Sequence, residues 1–436
     1  MNDDRKIGPF LATMVVASTM IGSGVYLLPA SLAAIGSITI LAWLAAAAGA
    51  ALIGGVFAWL ALLNPRTSGL FSYIRDAFGP LAGFVVGALY WASCVVAAVA
   101  VALAVTGYLG VLVPFVATPA GMTISTVGVL WLFVGANLLG PRFVARLQSW
   151  SMLLGLVPVL LAAIGGWFWF HGSIFAASWN VSGHSAFAVL PRATVMVFWA
   201  FLGMETAIIL AIRVRNPLRD VPVGTLAGLL VAALLYVAAS AAIMGLLPAA
   251  ILAKSTAPFA DAIAPMLGAS VAGAIALCAM LKACGTLGST LLLTVETAES
   301  DSVLGVIRPR VAAEVAPRVS LANLVFTGVL TSLVALASAS PTLARQFTIV
   351  TNVAVVLSLM VYGAAALTLL RLSRALSPSR RFWAQITAAG GALFSFALIA
   401  ASEPDLLIWS VGSVILATLA YFILRSRRLR PAARAA

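Results

Sequence analysis

Two ionisable side chains stand inside long apolar runs, Glu205 in FLGMETAIIL and Lys282 in CAMLKACGTLG. A charge at bilayer depth costs at least ~2.5 kcal/mol even on the most lenient scale, so such residues usually face an interior and serve function. Glu205 is a candidate for gating and proton coupling, with the fixing of neighbouring helices through hydrogen bonds as the alternative. Other chemistry is scarce. No nucleophile–base pair, metal-ligand cluster or phosphate loop appears, which argues against an enzyme and implies no cofactor or metal. Cys94, Cys278 and Cys284 lie in apolar stretches with neither disulfide-framework nor zinc spacing and read as packing residues. His171 and His184 fall in one loop and are not expected to be ligands.

The second kind of chemistry is backbone chemistry. STMIGSGVYLLP puts Gly22 and Gly24 around Ser23 in the middle of an apolar run, and VFWAFLGMETAIIL puts Gly203 two residues before Glu205. Glycine inside a helix costs up to ~1 kcal/mol against alanine. An unwound helix also frees N–H and C=O groups that lipid cannot satisfy. Such backbone is tolerated at membrane depth only where it lines a cavity or packs on protein. N–H groups freed near Ser23 and Gly24 start a half-helix whose positive end favours a carboxylate. Carbonyls freed near Trp199 and Leu202 can accept from an ammonium. Together they suit a zwitterionic amino acid.

These breaks need helices to carry them. The chain is 63% hydrophobic and 8% charged, the composition of a polytopic membrane protein. At about 20 apolar residues per span, about twelve runs can be marked: 10–32, 38–62, 82–112, 120–139, 148–170, 188–212, 222–247, 268–295, 320–338, 346–370, 382–402 and 406–424. With both termini cytoplasmic, 21 of the 25 basic residues fall on the inner side; Arg192, Lys254 and Arg345 fall outside and Lys282 within a span. That split accounts for the net charge of +13 by membrane orientation, so no nucleic-acid partner is expected. The first ten residues run directly into a span without a cleavage-site pattern, so no removable signal peptide is expected. Two segments between spans, SGLFSYIRDAFGP and PAAILAKSTAPFADAIAPMLG, are expected to form short covering helices. The broken runs are the first and sixth, five apart. An odd separation makes equivalent helices antiparallel, the pattern of an inverted-repeat transporter with its site at the repeat interface.

At these residues the chain resembles the amino acid–polyamine–organocation superfamily, and within it the bacterial basic amino acid/polyamine antiporters, the arginine/agmatine, cadaverine/lysine and putrescine/ornithine exchangers. The resemblance is carried by IGSGVYLLPASLA, FSYIRDAFGP, ALYWASC, GWFWF followed by SWNVSG, FWAFLGMETA, RNPLRDVP and STAPFADA, and covers nearly the whole chain. It implies an all-α fold of two inverted five-helix repeats plus two C-terminal helices, working by alternating access. The expected division is a cytoplasmic N-terminus (1–9), a first repeat (10–170), a second (188–372), two further helices (382–424) and a basic cytoplasmic tail (425–436). It implies that Ile21, Ser23 and Gly24 hold a substrate carboxylate, while carbonyls around Trp199 and Leu202 hold its amino group. Ser93 and Cys94 complete that pocket. Trp199 matches an outer gate, Tyr90 and Tyr362 an inner gate, and Glu205 a glutamate linked to substrate passage and proton sensing. Such exchangers are commonly homodimers in the bacterial inner membrane.

The departures concern the substrate's other end. Thr19 and Ala98 replace asparagines of the arginine exchanger, Thr290 replaces its stacking tryptophan, and Ala354 replaces a hydroxyl residue. Two gate tyrosines appear as Phe71 and Phe84. A cation over an indole gains up to ~2 kcal/mol when desolvated, which threonine cannot supply, so the implied substrate is an amino acid or amine other than arginine. Lys282 admits three readings: a tethered cation replacing sodium between the first and eighth spans, a salt bridge to Glu205 or Glu296, or outward snorkelling. Near the pocket, its charge would repel dications. Ser289 and Thr290 are possible sodium ligands, though hydroxyls in spans usually cap backbone carbonyls. The leading expectation is an amino acid/amine antiporter. Proton-coupled uptake of neutral amino acids, with Glu205 or Lys282 carrying the proton, is the alternative, and a non-transporting sensor or subunit a remote third.

Overall fold

Proline opens most of the long helices, where its missing N–H costs nothing and its fixed φ suits the first turn. In the computed structural model, which describes residues 8–22, 24–63, 70–206, 208, 214–299 and 320–429, the helices run in order as follows. The first half holds α1 Pro9–Met20, α2 Gly24–Ala33, α3 Thr39–Leu63, α4 Leu70–Phe78, α5 Pro80–Leu112, α6 Pro119–Asn137, α7 Pro141–Ile164 and α8 Gly172–Ala177. The second holds α9 Ala186–Phe198, α10 Pro217–Leu246, α11 Ala249–Leu252, α12 Pro258–Leu267, α13 Ala269–Glu299, α14 Leu321–Ala337, α15 Leu343–Leu372, α16 Pro378–Ala400 and α17 Pro404–Leu429.

Among the described residues nine helices are long and apolar enough to cross a membrane, and the bent pair α1–α2, meeting at 50°, makes a tenth. Ala186–Phe201 and Leu321–Ala337 are apolar but shorter, so length and composition alone give fewer than the expected twelve. The protein is an all-α, multi-pass membrane protein. Both expected covering segments are helical: α4 follows α3, and α11 with α12 precedes α13. The fifth span begins at Pro141, earlier than the hydropathy run, because the turn bearing Arg142 and Arg146 is helical too. The expected cytoplasmic residues Arg5, Lys6, Arg66, Arg213, Arg308, Arg310, Arg318, Arg430 and Arg434 lie outside the described residues, as does Ser23.

Packing sorts the helices by depth. The most apolar stretches of the helices containing α15 and α5 are 72% and 67% buried inside the protein, against 17% for α17, whose Ile408, Trp409, Leu416 and Ile423 point outward. α5 and α13 pack along each other, α13 also along α7, α15 along α5, and α10 along α1 and α3. The two broken segments are enclosed within this inner set.

Candidate functional site

α1 stops at Met20 because Ile21 leaves helical geometry (φ −70°, ψ 69°), and α2 restarts at Gly24. The Met20 carbonyl so released accepts from Tyr236 Oη on α10 at 2.6 Å. Tyr236 in turn packs on Trp43 and Phe201, with ring centroids 5.5 and 5.9 Å away. One buried tyrosine therefore links both breaks. Gly24 is fixed by what lies on it: an added Cβ would stand 2.7 Å from Trp199 Cδ1 and closer still to Nε1. Only glycine lets the indole rest on the start of α2, whose first N–H groups have no intrahelical partner.

The second break follows the same logic. α9 ends at Phe198, Trp199–Phe201 tightens into a 3-10 turn, and Leu202 is extended (φ −62°, ψ 147°). Gly203 takes φ +101°, which L side chains rarely adopt, and a Cβ there would meet the Thr19 carbonyl at 3.1 Å. The two breaks therefore touch. Thr19 Oγ1 donates to Val16 O at 2.8 Å and lies 3.1 Å from Thr206 Oγ1. The Trp199 carbonyl accepts from Leu202 N–H at 3.3 Å, leaving one of its two lone-pair directions open.

Glu205 is clasped. Tyr90 Oη donates to Oε1 at 2.8 Å, and Tyr362 Oη donates to Oε2 at 2.7 Å. The Gly203 N–H donates to Oε2 at 3.1 Å. Hydrogen bonds to an ionised carboxylate are about twice as strong as neutral ones, so the clasp ties the second break to α5 and α15. Phe71 of α4 packs on Tyr90 at 5.4 Å between centroids, and Phe57 of α3 on Tyr362 at 5.2 Å. Trp199 meets Phe347 edge-on at 6.4 Å. Phe347 and Tyr362 are 15 residues apart on α15, roughly 22 Å at 1.5 Å per residue, so the indole and the clasp lie toward opposite ends of the site.

Between them is a cavity of about 370 Å³. Of the residues expected there, Thr19, Gly24, Ser93, Cys94, Trp199, Leu202 and Thr290 line it, with Tyr90, Glu205 and Tyr362. Three expected positions among the described residues do not. Ile21 turns its side chain into the core. Ala98 is fully buried one residue past Ala97, which does line the cavity, and one residue is 100° of helix. Ala354 is fully buried one turn from Ser358, which lines the wall and lies 3.3 Å from Ser93 Oγ.

Lys282 is the largest displacement. It is fully buried, and its Nζ has no hydrogen-bond partner. Its stem packs on Gly155 of α7, whose carbonyl accepts from Tyr26 Oη at 2.6 Å. α7 and α13 run antiparallel, Gly155 facing Lys282 and Gly285 facing Ser151. Lys282 therefore sits one turn beyond Thr286, which lines the cavity, and two turns, about 10 Å, beyond the level of Ser289 and Gln148. It is absent from the cavity wall and from any salt bridge among the described residues. Full burial and the lack of a carboxylate partner among the described residues mean that the salt-bridge and snorkelling readings both fail.

Sequence reasoning missed Gln148, Thr206 and Ser358 as cavity residues. Gln148 Oε1 and Trp199 Nε1 are buried without partners in the protein. Each costs about 1–3 kcal/mol unless something in the cavity satisfies it. Gln148 falls in the amphipathic turn at the start of the fifth span, where its polarity passes for an interfacial residue.

Residues 7–424 match the family model described as amino acid permease. The chain belongs to the amino acid permease family. It is 32% identical over 416 residues to the putrescine transporter PotE of Escherichia coli strain K12, covering 94% of each chain. It is 31% identical over 422 residues to the cadaverine/lysine antiporter of the same strain, covering 95% of this chain and 94% of that one. The putrescine transporter PotE of Haemophilus influenzae is 31% identical over 426 residues. The family and the bacterial antiporter group named from the sequence motifs are thus upheld, over nearly the whole chain in both cases.

Proposed function

We propose that the protein is a secondary amino acid/amine antiporter of a bacterial inner membrane. It would expose one cavity to each side in turn and is not an enzyme. The carrying observation is the joining of both helix breaks at a cavity that has Trp199 toward one end and the clasped Glu205 toward the other. The name of one relative, the cadaverine/lysine antiporter, weighs for exchange over proton-driven symport. In this reading residues 10–170 and 188–372 are inverted five-helix repeats, with the two shorter apolar helices, α9 and α14, belonging to the sixth and ninth spans. The α2 N-terminus, with Ser23 and Gly24, takes a substrate carboxylate, and carbonyls of residues 199–202 take its amino group. The hydroxyls of Ser289, Thr290 and Ser358, with the Gln148 amide, face the substrate's remaining end.

Alternating access follows from which clasp is closed. With Glu205 bound to Tyr90 and Tyr362, α5, α15 and the second break are joined on the arginine-rich side, which the positive-inside rule makes cytoplasmic for both termini. Opening that side requires those bonds to break and Trp199 to close over Gly24 or stay there. Lys282, on α13 and packed on Gly155 of α7 beside Tyr26 of α2, is the proposed coupling cation, placed to respond when these helices shift. The protein is proposed to act as a homodimer. Liposomes preloaded with each amino acid or amine in turn test the function. Tracer uptake accelerated only by internal substrate supports exchange, whereas uptake into empty vesicles driven by a proton gradient supports symport.

A further inference from the structure

Away from the cavity, the outer surface carries a long apolar groove of about 800 Å³ between α3, α10 and α16. On α3 it is lined at 48, 51, 52, 55, 59, 62 and 63, the spacing of one helix face. From residue 48 to residue 63 that face is roughly 22 Å long, the reach of an extended acyl chain. Small residues keep it hollow: Ala48, Ala51 and Gly55 leave the space that larger side chains would fill.

The groove has one charged end. α16 runs antiparallel to α3, since Thr387 abuts Gly55, Leu52 abuts Gly390 and Phe394 abuts Gly49. Arg380, seven residues before Thr387 and so about 10 Å further along, lines the groove near Leu62 and Leu63. Around the same corner a second cavity, of about 510 Å³, is lined by Arg371, Arg374 and Arg381 with Leu367 and Leu370 as its apolar walls. Arg371 lies 5.4 Å over the Phe78 ring. Four arginines thus surround one helix corner within eleven residues, and among the described residues none of them meets a carboxylate.

We propose that this corner and groove bind an anionic diacyl phospholipid. Its phosphate sits among Arg374, Arg380 and Arg381, and one acyl chain lies along α3. Charge complementarity selects this occupant. Guanidinium forks match phosphate oxygens bidentately, and basic pockets on the cytoplasmic side of transmembrane helices bind anionic headgroups. A groove of acyl length whose one charged end bears cations fits a lipid better than a free anion, which has nothing to place along α3.

The test uses the full-length protein in detergent, with dioleoyl phosphatidylglycerol, dioleoyl phosphatidylcholine or inorganic phosphate added. Native mass spectrometry counts retained lipid, and the thermal unfolding midpoint is read in parallel. Phosphatidylglycerol is expected to be retained and to raise the midpoint, phosphatidylcholine and phosphate much less. At about fivefold per surface arginine, the triple Arg374→Gln, Arg380→Gln, Arg381→Gln variant should lose the preference for phosphatidylglycerol by at least about tenfold. Ala51→Trp, which fills the groove and leaves the charges, should also lose retained lipid, so the idea stays open to refutation should the triple variant not fold. Equal retention of both lipids, full protection by phosphate alone, undiminished retention of phosphatidylglycerol in Ala51→Trp, or a dimer covering the groove without lipid would each overturn it.

Discussion

Replacing Tyr362 by phenylalanine isolates the clasp from everything else the residue does. The ring keeps its edge-on packing with Phe57 at 5.2 Å, while the 2.7 Å bond to Glu205 Oε2 is lost. A hydrogen bond to a charged group contributes about 1.5–3 kcal/mol. That energy is available only in the closed arrangement, because water serves Glu205 once the clasp opens. The open population should therefore rise about 12- to 140-fold, by the tenfold-per-1.4 kcal/mol rule. Cys94 lines the cavity beside the clasp and serves as the reporter. In a Cys278→Ala, Cys284→Ala background, a membrane-impermeant maleimide applied from the clasp side should label Cys94 at least about tenfold faster in Tyr362→Phe. Tyr90→Phe removes the 2.8 Å bond to Oε1 and should act alike. Labelling rates within twofold of the parent in both variants would refute the clasp as a gate.

Gly24→Ala should abolish exchange and destabilise the protein by about 1–3 kcal/mol, because its methyl collides with the Trp199 indole; a thermal melt and tracer exchange check both effects, and adding Trp199→Ala should recover the melt but not transport. Gln148→Leu should raise the half-saturating substrate concentration about 2- to 12-fold with little change in maximal rate, the cost of one hydrogen bond, as exchange kinetics would read. Lys282→Met should melt no lower than the parent, since an apolar isostere of a buried charge is often neutral or stabilising by about 1–4 kcal/mol, yet it should lose exchange at every pH; wild-type exchange would remove Lys282 from the coupling mechanism.

Much of this was legible in the residues, for identifiable reasons. A glycine that interrupts an apolar run advertises a break, so Gly24 and Gly203 marked the site before any fold was known, and the carboxylate beside Gly203 marked its gate. The tyrosines that clasp it came from the resemblance, as did Trp199. What failed was angular. Ala98 and Ala354 are one residue and one turn from true wall positions, because alignment fixes a helix's order more firmly than its rotation. Lys282 lies one turn along α13 from Thr286, a cavity-wall residue on that helix, and is turned off the wall where α7 packs Gly155 against it. Gln148 and Tyr236 gave no signal at all. A polar residue near a span's edge and a tyrosine within one are both ordinary, and only the approach of neighbouring helices, α10 parallel along α1 and α7 antiparallel along α13, turns them toward the site.

The central claim is that the exchanged substrate occupies the cavity between the two breaks, and substrate protection of Cys94 tests it most directly. In the single-cysteine protein, a substrate that exchanges in liposomes should slow Cys94 alkylation, with half-protection at the concentration that half-saturates exchange, while non-substrates leave the rate unchanged. An exchanged substrate that gives no protection at saturating concentration would place transport elsewhere and contradict the account.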